Sequence, residues 1–448
     1  MLTIPKYLLD NCNTVIVLFI IAFFSTQRYL FADLYQLTCI IPLIAGLLSQ
    51  NKNVPLGNTY LMISLFTFVD IGGGGDNIRS HNFVETYSII RYLIYFSILS
   101  LILIRYKIDI KKIWKPFLLL ITPVIITLFN FFDTNFMINS SILRGDIFVF
   151  IMTCLVLTNS NAKIFLFENK MLFVFLIFFG FFEIINYLAF YDFTMGYLSY
   201  QSIKSLIVFP LLYAIVFIKS NIVKSILFLC TAIVLVGYTT RMIIVSLFLT
   251  LLIYYASRIN LKSFITGSMI CISMSFIILS RQDPEVEESI KILVMVQNLI
   301  TGDNFFESLK LIDPWRFGEL QLLLDRNLFF ILFGEGFGSG IFDSKGYLDF
   351  ADFGQTAYSE KELISGIFYN MHDLWTDYGL RFGLIFIIVL LYDLIKNIVL
   401  SKSLLKTFYA MLIMIAVFCT FFSSAGIILI SLLYLNYLHV DNLIEIND

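Results

Sequence analysis

Apolar residues run through this chain in long blocks separated by short polar turns. Residues 171–190 read MLFVFLIFFGFFEIINYLAF, with Glu183 as the one charge. Hydrocarbon offers no water to backbone amides, so apolar runs of roughly 17 to 25 residues cross a bilayer as helices. About fourteen runs of spanning type can be marked. They lie at 13–28, 33–50, 56–72, 87–104, 116–132, 146–160, 171–190, 203–218, 225–239, 242–256, 263–280, 380–399, 407–421 and 426–440. The pattern predicts an all-α, polytopic membrane helix bundle of about 12 to 14 transmembrane helices. No small-residue cleavage site follows the first run, which is therefore read as a span and not a removable signal.

One connection breaks the rhythm of short turns. Residues 281–379 form a loop of about a hundred residues, far beyond the usual connection length. It holds 17 of the 32 acidic residues and two of the three tryptophans. Asp283-Pro284 and Asp313-Pro314 each offer an N-cap followed by proline at the first helical position, and Ser359-x-x-Glu362 is a capping box. Val286, Ile290, Leu293, Val294 and Ile300 recur at helical spacing, which suits a segment lying against the membrane or the bundle. The organisation read from this is a bundle of about eleven spans over 1–280, a helical extracytoplasmic cap over 281–379, and about three spans over 380–448.

Charge orients the bundle. With the N-terminus inside, Lys52, the cluster Arg105/Lys107/Lys111/Lys112/Lys115, Lys163/Lys170, Lys219/Lys224, Arg258/Lys262 and Lys396/Lys402/Lys406 all fall on the cytoplasmic side. The opposite orientation inverts every one of them, so the positive-inside rule places both termini in the cytoplasm and the long loop outside. The composition, 59% hydrophobic and 14% charged, lies outside the soluble range. A net charge of -2 argues against a nucleic-acid partner. The six cysteines sit in or beside apolar runs with no C-x-x-C pair, which argues against a disulfide framework or a zinc site.

Arginine at the outer ends of spans runs against the rule that orients the chain. Arg79 follows Gly72-Gly73-Gly74-Gly75-Asp76, Arg91 and Arg144 stand at span ends, and Arg241 closes the short turn Tyr238-Thr239-Thr240-Arg241. Guanidinium groups converging there would suit a diphosphate, whose oxygens they bind bidentately. The competing reading is snorkelling to headgroups, or a pair such as Arg144 with Asp146. The run Phe333-Gly334-Glu335-Gly336-Phe337-Gly338-Ser339-Gly340 is either a flexible turn of the cap or a place where substrate approaches backbone. If 360–378 is one helix, His372, Thr376, Gly379 and Gly383 share a face, and Asp373, Asp377 and Arg381 line the next. Arg381 then has an ion-pair partner in Asp377, and His372 is either an interfacial hydrogen-bonding group or a general base near its ordinary pKa.

The order of these features resembles the O-antigen polymerase and O-antigen ligase superfamily of bacterial inner-membrane enzymes. An arginine in a short outer turn (Thr240-Arg241) precedes a long outer loop. That loop carries Trp315-Arg316-Phe317-Gly318-Glu319 and Gly334-Glu335-Gly336-Phe337-Gly338. It closes with His372-Asp373-Leu374 to Tyr378-Gly379-Leu380-Arg381-Phe382-Gly383. Ligases of the superfamily usually show His-Asn where this chain has His372-Asp373, and Ser-Arg where it has Thr240-Arg241.

The resemblance implies polymerisation of undecaprenyl-diphosphate-linked oligosaccharides at the periplasmic face. Arg241 and Arg316 would bind the departing diphosphate, and His372 would be the general base, with Asp373 orienting or replacing it. Trp315 and Trp375 would stack on sugars, or anchor the chain at the interface. Arg79, Arg91, Arg144, Thr240, Glu319, Gly336, Gly338 and Arg381 would complete the binding surface. No D-x-D motif occurs, and neither metal nor cofactor is expected. A chain-length regulator and a flippase of the same pathway are the implied partners. Two rival readings are a ligase with lipid A core as acceptor, and a flippase for the same lipid-linked units.

Overall fold

The computed structural model describes residues 16, 19–20, 40–50, 52–68, 122–129, 167–192, 197–198, 208–237, 241–256, 258, 314–349, 360–369, 371 and 374–418. These residues are mostly helical. In chain order the helices are α1 (Ile40–Ser49), α2 (Val54–Phe68), α3 (Asn169–Phe190), α4 (Val208–Phe217), α5 (Asn221–Gly237) and α6 (Arg241–Ala256), then α7 (Pro314–Leu324), α8 (Leu328–Phe333), α9 (Glu360–Ser365), α10 (Leu374–Leu400) and α11 (Leu404–Phe418). Two short antiparallel pairs join them: β1 (Tyr191–Asp192) with β2 (Tyr197–Leu198), and β3 (Ile341–Phe342) with β4 (Ile367–Phe368).

Polar caps start the helices where the apolar runs begin. Asn53 Oδ1 accepts the Leu56 amide at α2, and Ser403 Oγ accepts the Lys406 amide at α11. Pro314 is the first residue of α7, as the Asp313-Pro314 pair predicts.

The main core is formed where α3, α4, α6, α10 and α11 meet. Residues Thr407 to Val417 of α11 are buried throughout, and so is most of α4. Beyond Lys406 and Thr407 at the start of α11, both helices are apolar all round, the pattern of a central helix. Rings of Phe173, Tyr213, Phe217, Phe408 and Tyr409 pack in tilted and edge-on pairs 4.9–6.1 Å apart. Polar contacts across this core tie ends of helices. Thr59 Oγ1 accepts the Glu168 amide at 2.8 Å, Tyr409 OH donates to Asn169 Oδ1 at 2.7 Å, and Arg258 Nη1 donates to the Ile398 carbonyl at 2.9 Å.

Peripheral helices show apolar side chains to the outside. Ile222, Ile226 and Leu229 of α5 are exposed, as are Leu384, Ile388, Tyr392, Ile395 and Val399 of α10. On the other side of α10, Ile387, Leu394 and Ile398 are buried. Residues Trp375–Leu400 form the one helix, among the described residues, that is long and apolar enough to cross a membrane.

Two expectations change. The segment 360–378 is not one helix: α9 ends at Ser365, Gly366 turns the chain at φ 64°, and β4 pairs with β3 before α10 starts at Leu374. Thr376, Asp377, Gly379 and Arg381 stand on α10, whereas His372 and Asp373 lie outside the described residues. In addition, α10 is broken at Gly383, whose φ of 80° and ψ of 174° are not helical.

Candidate functional site

A second, smaller core joins α7, β3, β4 and the first turns of α10 through Leu322, Leu323, Ile341, Leu348, Phe368, Met371 and Leu380. Trp315 packs against it from α7. Gly318 lets α7 come close to the carbonyl of Tyr347 and the side chain of Leu348. Asp343 shapes the intervening loop by accepting the amides of Tyr347 and Leu348 at 3.0 and 2.8 Å.

Charged groups are buried along the face of α10 that meets this unit. Glu319 of α7 and Arg381 of α10 are fully buried, and Asp377 nearly so. Thr376 Oγ1 donates to Glu319 Oε2 at 3.4 Å, joining α7 to α10. Arg381 Nη1 donates to the Ser339 carbonyl at 2.7 Å, and its Nη2 donates to the Tyr369 carbonyl. The Tyr369 amide in turn donates to Glu362 Oε1 at 2.9 Å, and Glu362 is also buried. Tyr369 is thus held on both sides of its backbone, three residues before His372.

The glycine-rich run supplies the remaining contacts. Gly334, Gly336 and Gly338 all have positive φ, at 81°, 78° and 73°. The Glu335 amide donates to the Leu380 carbonyl at 2.7 Å and the Gly336 amide to the Arg381 carbonyl at 3.2 Å. A Cβ on Gly334 would overlap the Arg381 carbonyl, and one on Gly383 would overlap that of Leu332. The run and the break in α10 are two halves of one close backbone crossing. Beside Gly336 the space is taken by Pro123 and Thr127, and Thr127 Oγ1 accepts the Phe337 amide at 2.8 Å. At Gly334 and Gly336 the close backbone approach is to protein.

Arg326, in the turn between α7 and α8, is not among the residues to which the sequence pattern points. Its Nε donates to the Leu323 carbonyl at 2.9 Å, its Nη2 reaches the Gly379 carbonyl at 3.4 Å, and its Nη1 lies 3.7 Å from Glu335 Oε1. Burial lowers the Arg326 pKa from its ordinary value, and the charge of Glu335 offsets this in part. Burial raises the Glu335 pKa, opposed by Arg326 and more weakly by Arg381. Both shifts run against the ion pair, so desolvation outweighs the attraction on each side. A charge set in Leu-Leu-Leu-Asp-Arg-Asn-Leu-Phe-Phe was the available signal.

Of the predicted site residues, Trp315, Arg316, Glu319, Gly336, Gly338, Trp375 and Arg381 lie together in this unit or against it. Arg316 and Trp375 are half-buried. Arg241 is the first residue of α6. His372, Asp373, Arg79, Arg91, Arg144 and Thr240 lie outside the described residues. Among the described residues no group of three histidine, cysteine or acidic side chains is placed to hold a metal. No protein-family model, no curated protein and no solved structure matches the chain.

Proposed function

We propose that this chain is a multi-pass enzyme of the bacterial cytoplasmic membrane that joins undecaprenyl-diphosphate-linked oligosaccharide repeat units at the periplasmic face. The single observation carrying this reading is the assembly of α7, the glycine-rich run and the start of α10 into one unit at the head of an apolar helix. Glu319 and Thr376, 57 residues apart, are hydrogen-bonded within it. Of the segments whose order resembles the polymerase and ligase superfamily, those at 315–319, 334–338 and 378–383 are thereby neighbours in space. The outward apolar faces of α5 and α10 support a lipid environment, because lipid removes the cost of exposing them.

In the reaction, an acceptor sugar hydroxyl loses its proton to His372 as its oxygen attacks the anomeric carbon of the donor. The bond from that carbon to the diphosphate oxygen breaks, and its electron pair leaves with undecaprenyl diphosphate. Arg241 and Arg316 offset the charge developing on that leaving group. Asp373 orients His372 or accepts the proton in its place. Trp315 and Trp375 offer ring faces for sugars. A flippase supplying the units outside and a regulator of chain length are the partners this role requires.

Incubation of the purified protein with lipid-linked repeat units tests the proposal. A ladder of oligomers formed without lipid A core is the expected result. Transfer only when lipid A core is supplied would identify a ligase. Movement of units across a vesicle bilayer with no bond formed would identify a flippase.

A further inference from the structure

We infer that α8 is an interfacial helix, seated among the lipid headgroups of the outer leaflet and fixing the depth at which the cap unit sits. The inference rests on the membrane placement proposed above. The sequence of α8, Leu-Phe-Phe-Ile-Leu-Phe, has no polar residue, yet it is not a core element. Leu324, Leu328 and Phe329 are 50%, 67% and 47% exposed. Phe329 lies 5.6 Å from the ring of Phe330 and 5.2 Å from that of Phe333, so the aromatic surface is continuous.

Position identifies the partner. The C-terminal end of α8 is fixed to α10 by the Gly334 and Gly383 crossing, and the outward apolar stripe of α10 begins at the next residue, Leu384. The exposed patch of α8 is therefore anchored at one end of the stripe that faces hydrocarbon. The polar groups nearby point to the same boundary. Asn327 caps α8 by accepting the Phe329 amide, and Asp325 pairs with exposed Lys345 just before it. An apolar patch of Leu and Phe, bordered by charge and placed at the lip of a span, is the composition of a segment whose apolar face enters a membrane interface.

Depth-resolved quenching tests this in the full-length protein reconstituted in phosphatidylcholine bilayers. Phe329→Trp and, separately, Leu328→Trp are compared with the parent protein in lipids brominated near the headgroup end or near the methyl end of the chain. Each added tryptophan is expected to be quenched roughly twofold more by the shallow bromines, as a side chain at the headgroup boundary requires. Tyr392→Trp, in the middle of the α10 stripe, is expected to respond to the deep bromines. Quenching at Tyr392→Trp with none at Phe329→Trp or Leu328→Trp overturns the interfacial assignment alone. Absence of quenching at Tyr392→Trp overturns the membrane placement beneath it.

Discussion

Arg381 donates from Nη1 to the carbonyl oxygen of Ser339 at 2.7 Å, tying the head of α10 to the glycine-rich run 42 residues earlier. Its Nη2 donates to the Tyr369 carbonyl, so one buried guanidinium fixes two stretches of irregular backbone. Truncation in Arg381→Ala leaves both carbonyls buried without these donors, at about 1–3 kcal/mol each. We expect a large drop in the thermal unfolding midpoint of the detergent-solubilised protein, with Arg381→Lys recovering only part of it. Trp315 and Trp375 stand in and beside the unit and report the transition by their fluorescence. A variant that kept its midpoint and lost only substrate affinity would instead make Arg381 a ligand of the diphosphate.

The Gly334 and Gly383 crossing makes an equally specific demand. Gly383→Ala puts a Cβ onto the Leu332 carbonyl at a φ of 80°, and Gly334→Ala repeats the clash from the other side. Each is expected to cost about 3 kcal/mol or more, since left-handed strain and overlap add. Gly379 is the control. It lies in regular helix, and an added Cβ there meets only Ile387 and Leu323 carbons at 3.4 and 3.9 Å. Gly379→Ala should leave the unfolding midpoint unchanged or raised, by about 0.5–1 kcal/mol of helix propensity.

The contrast between these glycines shows what was legible in the sequence. Runs of apolar residues have a period and a length, so the runs at 171–190 and 242–256 match α3 and α6 to within two residues, whereas α10 starts six residues before the run at 380 and α11 three before the run at 407. Pro314 marked the start of α7 because its ring fits a first helical turn. Nothing local distinguishes Gly383 from Gly379, because the difference lies in which backbone crosses there. Gly366 reads the same way: a helix through 360–378 satisfies the apolar spacing, and only the pairing of β4 with β3 ends it. The buried charges were half legible. Arg381 stands out by its motif and by Asp377 one turn before it, whereas Glu362 reads only as the acidic member of a capping box and holds the Tyr369 amide.

Thr127 offers a narrower test of how the glycine-rich run is attached. Its hydroxyl donates to the Pro123 carbonyl at 2.6 Å and accepts the Phe337 amide at 2.8 Å. Thr127→Val keeps the shape and removes both contacts, leaving an amide without its acceptor at about 1–3 kcal/mol. Thr127→Ser keeps the oxygen and should lie within about 0.5 kcal/mol of the parent. Protease cleavage within 334–340 is expected to rise in the valine variant and not in the serine variant.

Glu335 should give the unit a pH dependence of defined sign. Burial, the largest cause, raises its carboxyl pKa from the ordinary 4.5 despite Arg326 and Arg381 nearby. Between 4.5 and the raised value the folded state holds a proton that the unfolded state has released. Stability is therefore greatest below that window and falls as pH rises through it. Glu335→Gln cannot release the proton, so the decline should be shallower in that variant. Unfolding midpoints measured from pH 4.5 upward compare the two. Parallel profiles would show that Glu335 is not the titrating group.

The catalytic assignment separates from all of these because it predicts loss of product without loss of fold. His372→Ala removes the group proposed to take the acceptor proton and should lower turnover by roughly 100- to 10,000-fold. Arg241→Ala removes one of the two charges proposed to offset the leaving diphosphate and should cost about 100- to 1,000-fold. Arg316→Ala should behave like Arg241→Ala, with Arg316→Lys recovering part of the rate as a point charge without the bidentate fork. In cells lacking the native enzyme, each alanine variant should leave single repeat units delivered outside but unlinked. Unfolding midpoints of all three should match the parent. Full-length glycan in cells carrying both His372→Ala and Arg241→Ala would remove these residues from the reaction.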